Sequence, residues 1–227
     1  MSFRSGAVES ACRLRSFTSV QDDRKDFSAG SDWGGLKLDF SFLKNYYMFF
    51  IEGAKITILL AIFTIIFGVI FGILFALMRI SHNPFLKAIA ATYIEFIRGT
   101  PIMIQMFLVY YGLSMIGINF PDIPILGSNF SDLMAGITTL SINSAAYVAE
   151  IVRAGIQAVD KGQMEAARSL GLNYSMSMKS IVLPQAIKNI LPALGNEFIA
   201  IIKESSIVSI IGIHELMYNT STVRGNT

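Results

Sequence analysis

The sequence predicts an all-α, polytopic membrane protein, on three observations. Hydrophobic residues make up 53% of its 227 positions. Only 15% are charged, where a soluble domain carries about 25%. Residues 53–78, GAKITILLAIFTIIFGVIFGILFALM, contain one charge, Lys55. At ~1.5 Å rise per residue such a run crosses a ~30 Å hydrocarbon core with room to tilt. The net charge of +2 is too small to call for a nucleic-acid partner. Cys12 is the single cysteine, and His82 and His214 lie far apart, so no disulfide or metal cluster is expected.

The elements follow in order. Residues 1–35 mix charge, Ser and Gly and lack the apolar core of a signal peptide. They are expected to be poorly ordered or peripheral. Residues 36–52 are aromatic and weakly charged, which suits an amphipathic segment lying at the membrane interface. Residues 53–78 form the first span. A second runs over about 92–113, with Glu95, Arg98 and Pro101 in its first third. Its Gly-Thr-Pro step lacks a backbone donor and predicts a kink. The third, about 132–152, is rich in Ala, Gly, Ser and Thr, so it should lie inside a bundle. The fourth covers about 184–203, with Pro192 and Gly195 inside it. The final run, SSIVSIIGIHELMY, is short for a span and fits a re-entrant segment.

Loop charges orient the chain. Residues 79–91 carry Arg79 and Lys87 without an acid, and 153–180 carry Arg153, Lys161, Arg168 and Lys179. The loop 112–131 has only Asp122. The positive-inside rule places the first two in the cytoplasm and the third outside.

The longest cytoplasmic loop holds a polar interruption. Asp160 can cap a helix over 161–170, with Gln163 completing a capping box. Gly171 suits the left-handed residue after its end. A helix this short needs a surface to dock on. Ala166, Ala167 and Leu170 offer a smooth face, flanked by Glu165 and Arg168. On helix physics alone, a structural interfacial helix and a contact for a soluble partner remain equally open.

The spacing Glu165-Ala166-Ala167, then Gly171, then Ile181-Val182-Leu183-Pro184, resembles the EAA motif of ABC importer permeases. EFIRGTP at 95–101, SAAYVAEIVR at 144–153, LPQA at 183–186, Asn196 and Lys203 resemble the polar amino acid uptake branch of that family. The resemblance covers roughly residues 42–220. It implies a MetI-like helical permease core in the bacterial cytoplasmic (inner) membrane, occupying 53–220. It implies that 161–170 is a coupling helix fitting an ATPase groove through Glu165, Ala166, Ala167, Arg168 and Gly171. It also implies ABC ATPase subunits, an extracytoplasmic solute-binding protein and a second permease copy or paralogue as partners, around an amino acid substrate in the lipid bilayer. The chain is then no enzyme and holds no cofactor of its own, since ATP is used by the partner. The family has a further span after the segment beginning at Ser205. The sequence stops at Thr227, so 221–227 is expected to be a truncated tail, with four clear spans and the last one missing.

Polar groups at membrane depth are functional candidates. Gln105, Asn143, Tyr147, Glu150 and Asn196 are the substrate-binding candidates, with Asn143, Tyr147 and Glu150 able to share one helix face. Glu95, Arg98, Thr100, Pro101 and Arg153 are read as gate or structural residues. Bland roles stay open for each. Gln105 and Asn143 can bond neighbouring helices, Glu150 can pair with Arg153 or Arg98, Tyr147 can be packing, and Lys203 can snorkel. An ATP-independent transporter or channel for amino acids or ions is the competing function, with Glu150 as its ion site.

Overall fold

The computed structural model describes residues 41–121 and 130–226, with side chains from Leu43 onward. The expectations for residues 1–35, for 36–40 and for Asp122 fall outside the described residues. Everything described below lies in the unit Asn45–Thr227, apart from the first residues of the opening helix.

Helix α1, Ser41–Ile80, is one uninterrupted 40-residue helix. The sequence reading divides an interfacial stretch from the first span at residue 53, whereas the structure joins them. Nothing between Tyr46 and Leu60 breaks a helix, since Gly53 is tolerated where it packs closely. The buried stripe of α1 is small: Gly53, Thr57, Ala61, Thr64, Gly68, Gly72 and Ala76, with Leu60 as the bulky exception. Its other face carries the exposed Ile58, Ile62, Ile66 and Ile70.

Helix α2, Pro84–Gly99, starts on Asn83, whose side chain accepts from Phe85 N at 2.9 Å, and on a proline at its first position. It ends at the Gly-Thr-Pro step. The predicted kink is a full break. Thr100 and Pro101 are extended, and α3 restarts over Ile102–Met115. α3 widens into a π-helical turn at Leu108–Gly112.

Helix α4, Phe130–Gln157, is the central element. Its small residues let α1 lie against it. A Cβ on Gly68 would sit 2.7 Å from Ser144 Oγ, and one on Gly72 would sit 2.6 Å from Val148 Cβ. Only glycine permits that approach, as in other small-xxx-small helix contacts in lipid. The polar loop then forms α5, Lys161–Ser169, and the chain returns through α6, Tyr174–Ser177, and a π-helical turn at Met178–Val182. Helix α7, Leu183–Glu204, packs along α4. The final run is a 3₁₀ helix, Ser205–Ile211, followed by α8, Leu216–Asn226. Two apolar clusters hold the bundle. One centres on Leu60, Met106, Leu140 and Val208, and the other on Ala76, Ile94, Val148 and Val152.

Among the described residues, α1 from Leu43 to Ile80 is the one helix long and apolar enough by itself to cross a membrane. The other expected spans fall short of that measure for visible reasons. The second is cut at Thr100-Pro101. The third and fourth carry Thr, Ser, Asn, Gln and Glu side chains, of which Ser144 and Glu197 meet across α4 and α7.

Candidate functional site: the broken helix, the polar seam and the cytoplasmic knob

The break at Thr100-Pro101 frees carbonyls that a continuous helix would use. Gln105 collects them. Its Nε2 donates to Ile97 O at 2.8 Å, Thr100 O at 3.1 Å and Thr100 Oγ1 at 2.9 Å. Thr100 Oγ1 in turn donates to Phe96 O and Ile97 O. From α4, Asn143 Nδ2 donates to Gln105 Oε1 at 3.0 Å. Gln105 and Asn143 are only 6% and 5% exposed. The two amides are therefore engaged with each other and with the break, which is the interhelical alternative left open by the sequence.

One to two turns further along α4 lies a charged group. Arg98 from α2 stacks over the Tyr147 ring at 5.3 Å. Glu150 accepts from Arg153 at 2.6 and 3.0 Å, and Arg153 also donates to Gln157 at 2.8 Å. Glu95 reaches back to Arg79 at 3.3 Å. Tyr147, Glu150, Arg98 and Arg153 are thus brought together across two helices, with the Arg79–Glu95 pair joining α1 and α2 beside them. Glu150 has a cation in hand already, the pairing with Arg153 that the sequence allowed.

Asn196 is apart from these groups, exposed on α7. Its neighbour Glu197 faces the bundle instead, accepting from Ser144 Oγ at 3.0 Å. Sequence reasoning passed over Glu197. The signal was present, a carboxylate inside an apolar run. It also passed over Glu215, which is buried. Its carboxylate accepts from Thr57 Oγ1 at 3.4 Å and from Met217 N and Tyr218 N at 2.8 Å each.

Helix α5 forms where the sequence predicts. Asp160 accepts from Gly162 N at 2.7 Å. The capping box is not completed, because Gln163 accepts from Gln185 Nε2 at 3.3 Å instead. Gly171 has φ +86. Its N–H donates to Arg168 O and Leu172 N–H to Ala167 O, the paired bonds of a Schellman end. Ala167 corrects the expected docking face. It is 1% exposed and turned inward, on a helix that packs against α6 and the following π-helical turn. Glu165, Ala166, Arg168 and the 83%-exposed Leu170 project outward. The result is a short helix tied at both ends, presenting a mixed polar and apolar face.

Residues 68–224 match the family described as binding-protein-dependent transport system inner membrane component. The chain belongs to that family. It is therefore an integral membrane subunit. Its relatives include the arginine transport system permease protein ArtQ of Bacillus subtilis, 44% identical over 80% of this chain and 79% of that protein. A Rickettsia felis protein named GlnP, for a glutamine transport system permease, is 40% identical over 81% and 82%. A solved amino acid ABC transporter with histidines superposes with a TM-score of 0.75 at 47% identity, covering 83% of both chains. An inward-facing methionine transporter structure, MetNI, superposes at 0.54 with 16% identity over 80% and 81%, a likeness of fold alone.

Proposed function

We propose that this family member is the membrane-spanning subunit of an ATP-driven importer of polar or charged amino acids, crossing the bacterial cytoplasmic membrane several times. ATP is hydrolysed by separate ABC ATPase subunits, and an extracytoplasmic binding protein delivers the substrate. A second permease copy or paralogue completes the path, since two ATPase subunits need two docking helices. The observation that carries the coupling part is α5. Its ends are fixed by Asp160 and Gly171, and its outward side offers Glu165, Ala166, Arg168 and Leu170. A rigid lever of this kind passes motion from an ATPase to the helices on either side.

Substrate passes along α4 and α7. Tyr147 and Asn196 present polar atoms on exposed faces, and Glu197 adds a carboxylate between the two helices. Gln105 and Asn143 act one step removed, holding the Thr100-Pro101 break, past which the N–H groups opening α3 meet a substrate carboxylate. The Arg98–Tyr147 and Glu150–Arg153 contacts form the inner gate, with Glu95 paired beside them.

The test is uptake of labelled arginine, histidine, glutamine and glutamate into proteoliposomes holding the permease, its ATPase and its binding protein. Uptake of at least one, dependent on ATP, is expected. Gly171→Glu should abolish uptake while ATP hydrolysis continues, because a side chain at φ +86 is strained and an acid disturbs the docking end. Uptake driven by a proton gradient without the ATPase would instead favour the transporter or channel that works without ATP.

A further inference from the structure

A cleft of about 390 Å³ runs between α1 and α4 and is closed at one end by α2. This size falls within the ~300–1,000 Å³ range of small-molecule sites. One wall is a ladder of Phe67, Phe71 and Phe75, successive turns of α1. The opposite wall runs along α4 from Met134 to Ala145, about 16 Å at the rise of a helix. The slot therefore lies along the helix axes rather than across them. Its polar groups are few. The Tyr93 hydroxyl at the closed end donates to Ile142 O at 2.7 Å, and the buried Ser141 hydroxyl has no hydrogen-bond partner among the described residues. An ordered water needs two to four polar partners, so this slot suits hydrocarbon.

The closed end is also charged. Phe75 and Tyr93 stack there at 4.0 Å, and one turn beyond Phe75 stands Arg79. Arg79 pairs with Glu95 at 3.3 Å, whose side chain is 75% exposed. In sequence, residues 79–91 add Lys87 without an acid. A long apolar slot with an arginine one turn beyond its end matches one occupant in a membrane, a lipid chain with an anionic head.

We propose that the α1–α4 cleft holds an acyl chain of an anionic phospholipid from the inner leaflet, with Arg79 holding its headgroup. The lipid wedges α1 against α4 and α2, steadying the hairpin that carries Arg98 and Glu95. The orientation rests on the inside placement of residues 79–91; occupancy of the slot itself does not.

The experiment places the intact transporter, with its ATPase, in nanodiscs containing phosphatidylglycerol or phosphatidylcholine with a photoactivatable group midway along one chain. Mass spectrometry maps the label. Labelling concentrated at residues 67–75 and 134–145, several-fold stronger with phosphatidylglycerol, is expected. Thr138→Trp should remove it by filling the slot, and Arg79→Gln should erase the preference between the lipids. Phe71→Ala, which enlarges the slot, should keep the labelling and guards against a misfolded tryptophan variant. Label spread evenly over Ile58, Ile62, Ile66 and Ile70 overturns the proposal. So does a disulfide formed between two copies through Phe67→Cys and Met134→Cys, which would give the slot to a second chain.

Discussion

Asn143 on α4 and Gln105 on α3 share a buried hydrogen bond of 3.0 Å, and through it the broken helix is held to the centre of the bundle. Gln105 reaches three acceptors on the far side of the break, so the pair joins a discontinuity to a continuous helix. Interhelical hydrogen bonds in membranes average about 0.6 kcal/mol and reach about 1.7. Asn143→Ala should therefore cost about 1 kcal/mol and lower the melting temperature by a few degrees. Gln105→Leu should cost more, because it takes away the bond to Thr100 O and the acceptor of the buried Asn143 Nδ2 together. Thermal melting in detergent measures both, and an unchanged melting temperature for Gln105→Leu would dismiss the clasp.

The crossing of α1 over α4 depends on Gly68 and Gly72. Gly72→Leu forces a side chain into Val148, whose Cβ already lies 2.6 Å from the position of an added carbon. Overpacking of this kind costs about 1–3 kcal/mol or separates the helices. Gly195→Ala is the control. No heavy atom lies within 4 Å of that added carbon, and alanine favours a helix interior by up to about 1 kcal/mol. Melting curves should move in opposite directions for the two variants.

Glu215 fastens the start of α8 to α1. Its carboxylate caps Met217 and Tyr218, while Thr57 donates to it and accepts from Leu216 N at 3.2 Å. Asn219 adds a bond to Phe49 O at 2.8 Å. Glu215→Ala takes the acceptor from the buried Thr57 hydroxyl and from the part-buried Met217 and Tyr218 N–H groups, at a cost of about 1–3 kcal/mol. Hydrogen exchange over residues 213–226 should accelerate, with exchange in α4 unchanged. Equal acceleration in both would make Glu215 a general stability residue rather than a local fastening.

The local features were legible in the sequence, and the long-range ones were not. Asp160 and Gly171 bracket α5 because capping and left-handed ends leave short-range signatures. The Gly99-Thr100-Pro101 break is readable for the same reason, and the small residues of α4 announce a crowded helix. The extension of α1 back to Ser41 is not readable, because an aromatic, apolar stretch has no periodicity to separate interface from span. Ala167 faces inward because α6 folds back beneath α5, which no residue of α5 foretells. Glu215 meets Thr57 across 158 positions, and only the packed bundle brings such partners together. That Tyr147 and Asn196 reach an exposed face is not readable either, because a single helix pattern does not define the surface of the bundle.

The coupling role of α5 can be tested with one introduced cysteine on each partner. Replacing Cys12 by serine leaves no native thiol, and Leu170→Cys then places one at the exposed end of the helix. With the ATPase present, oxidation should link this thiol to a cysteine introduced in the ATPase groove, and uptake should stop until the link is reduced. Labelling of Leu170→Cys by a membrane-impermeant maleimide from the outer face, with no link to the ATPase, would contradict an ATPase-driven lever on the inner side.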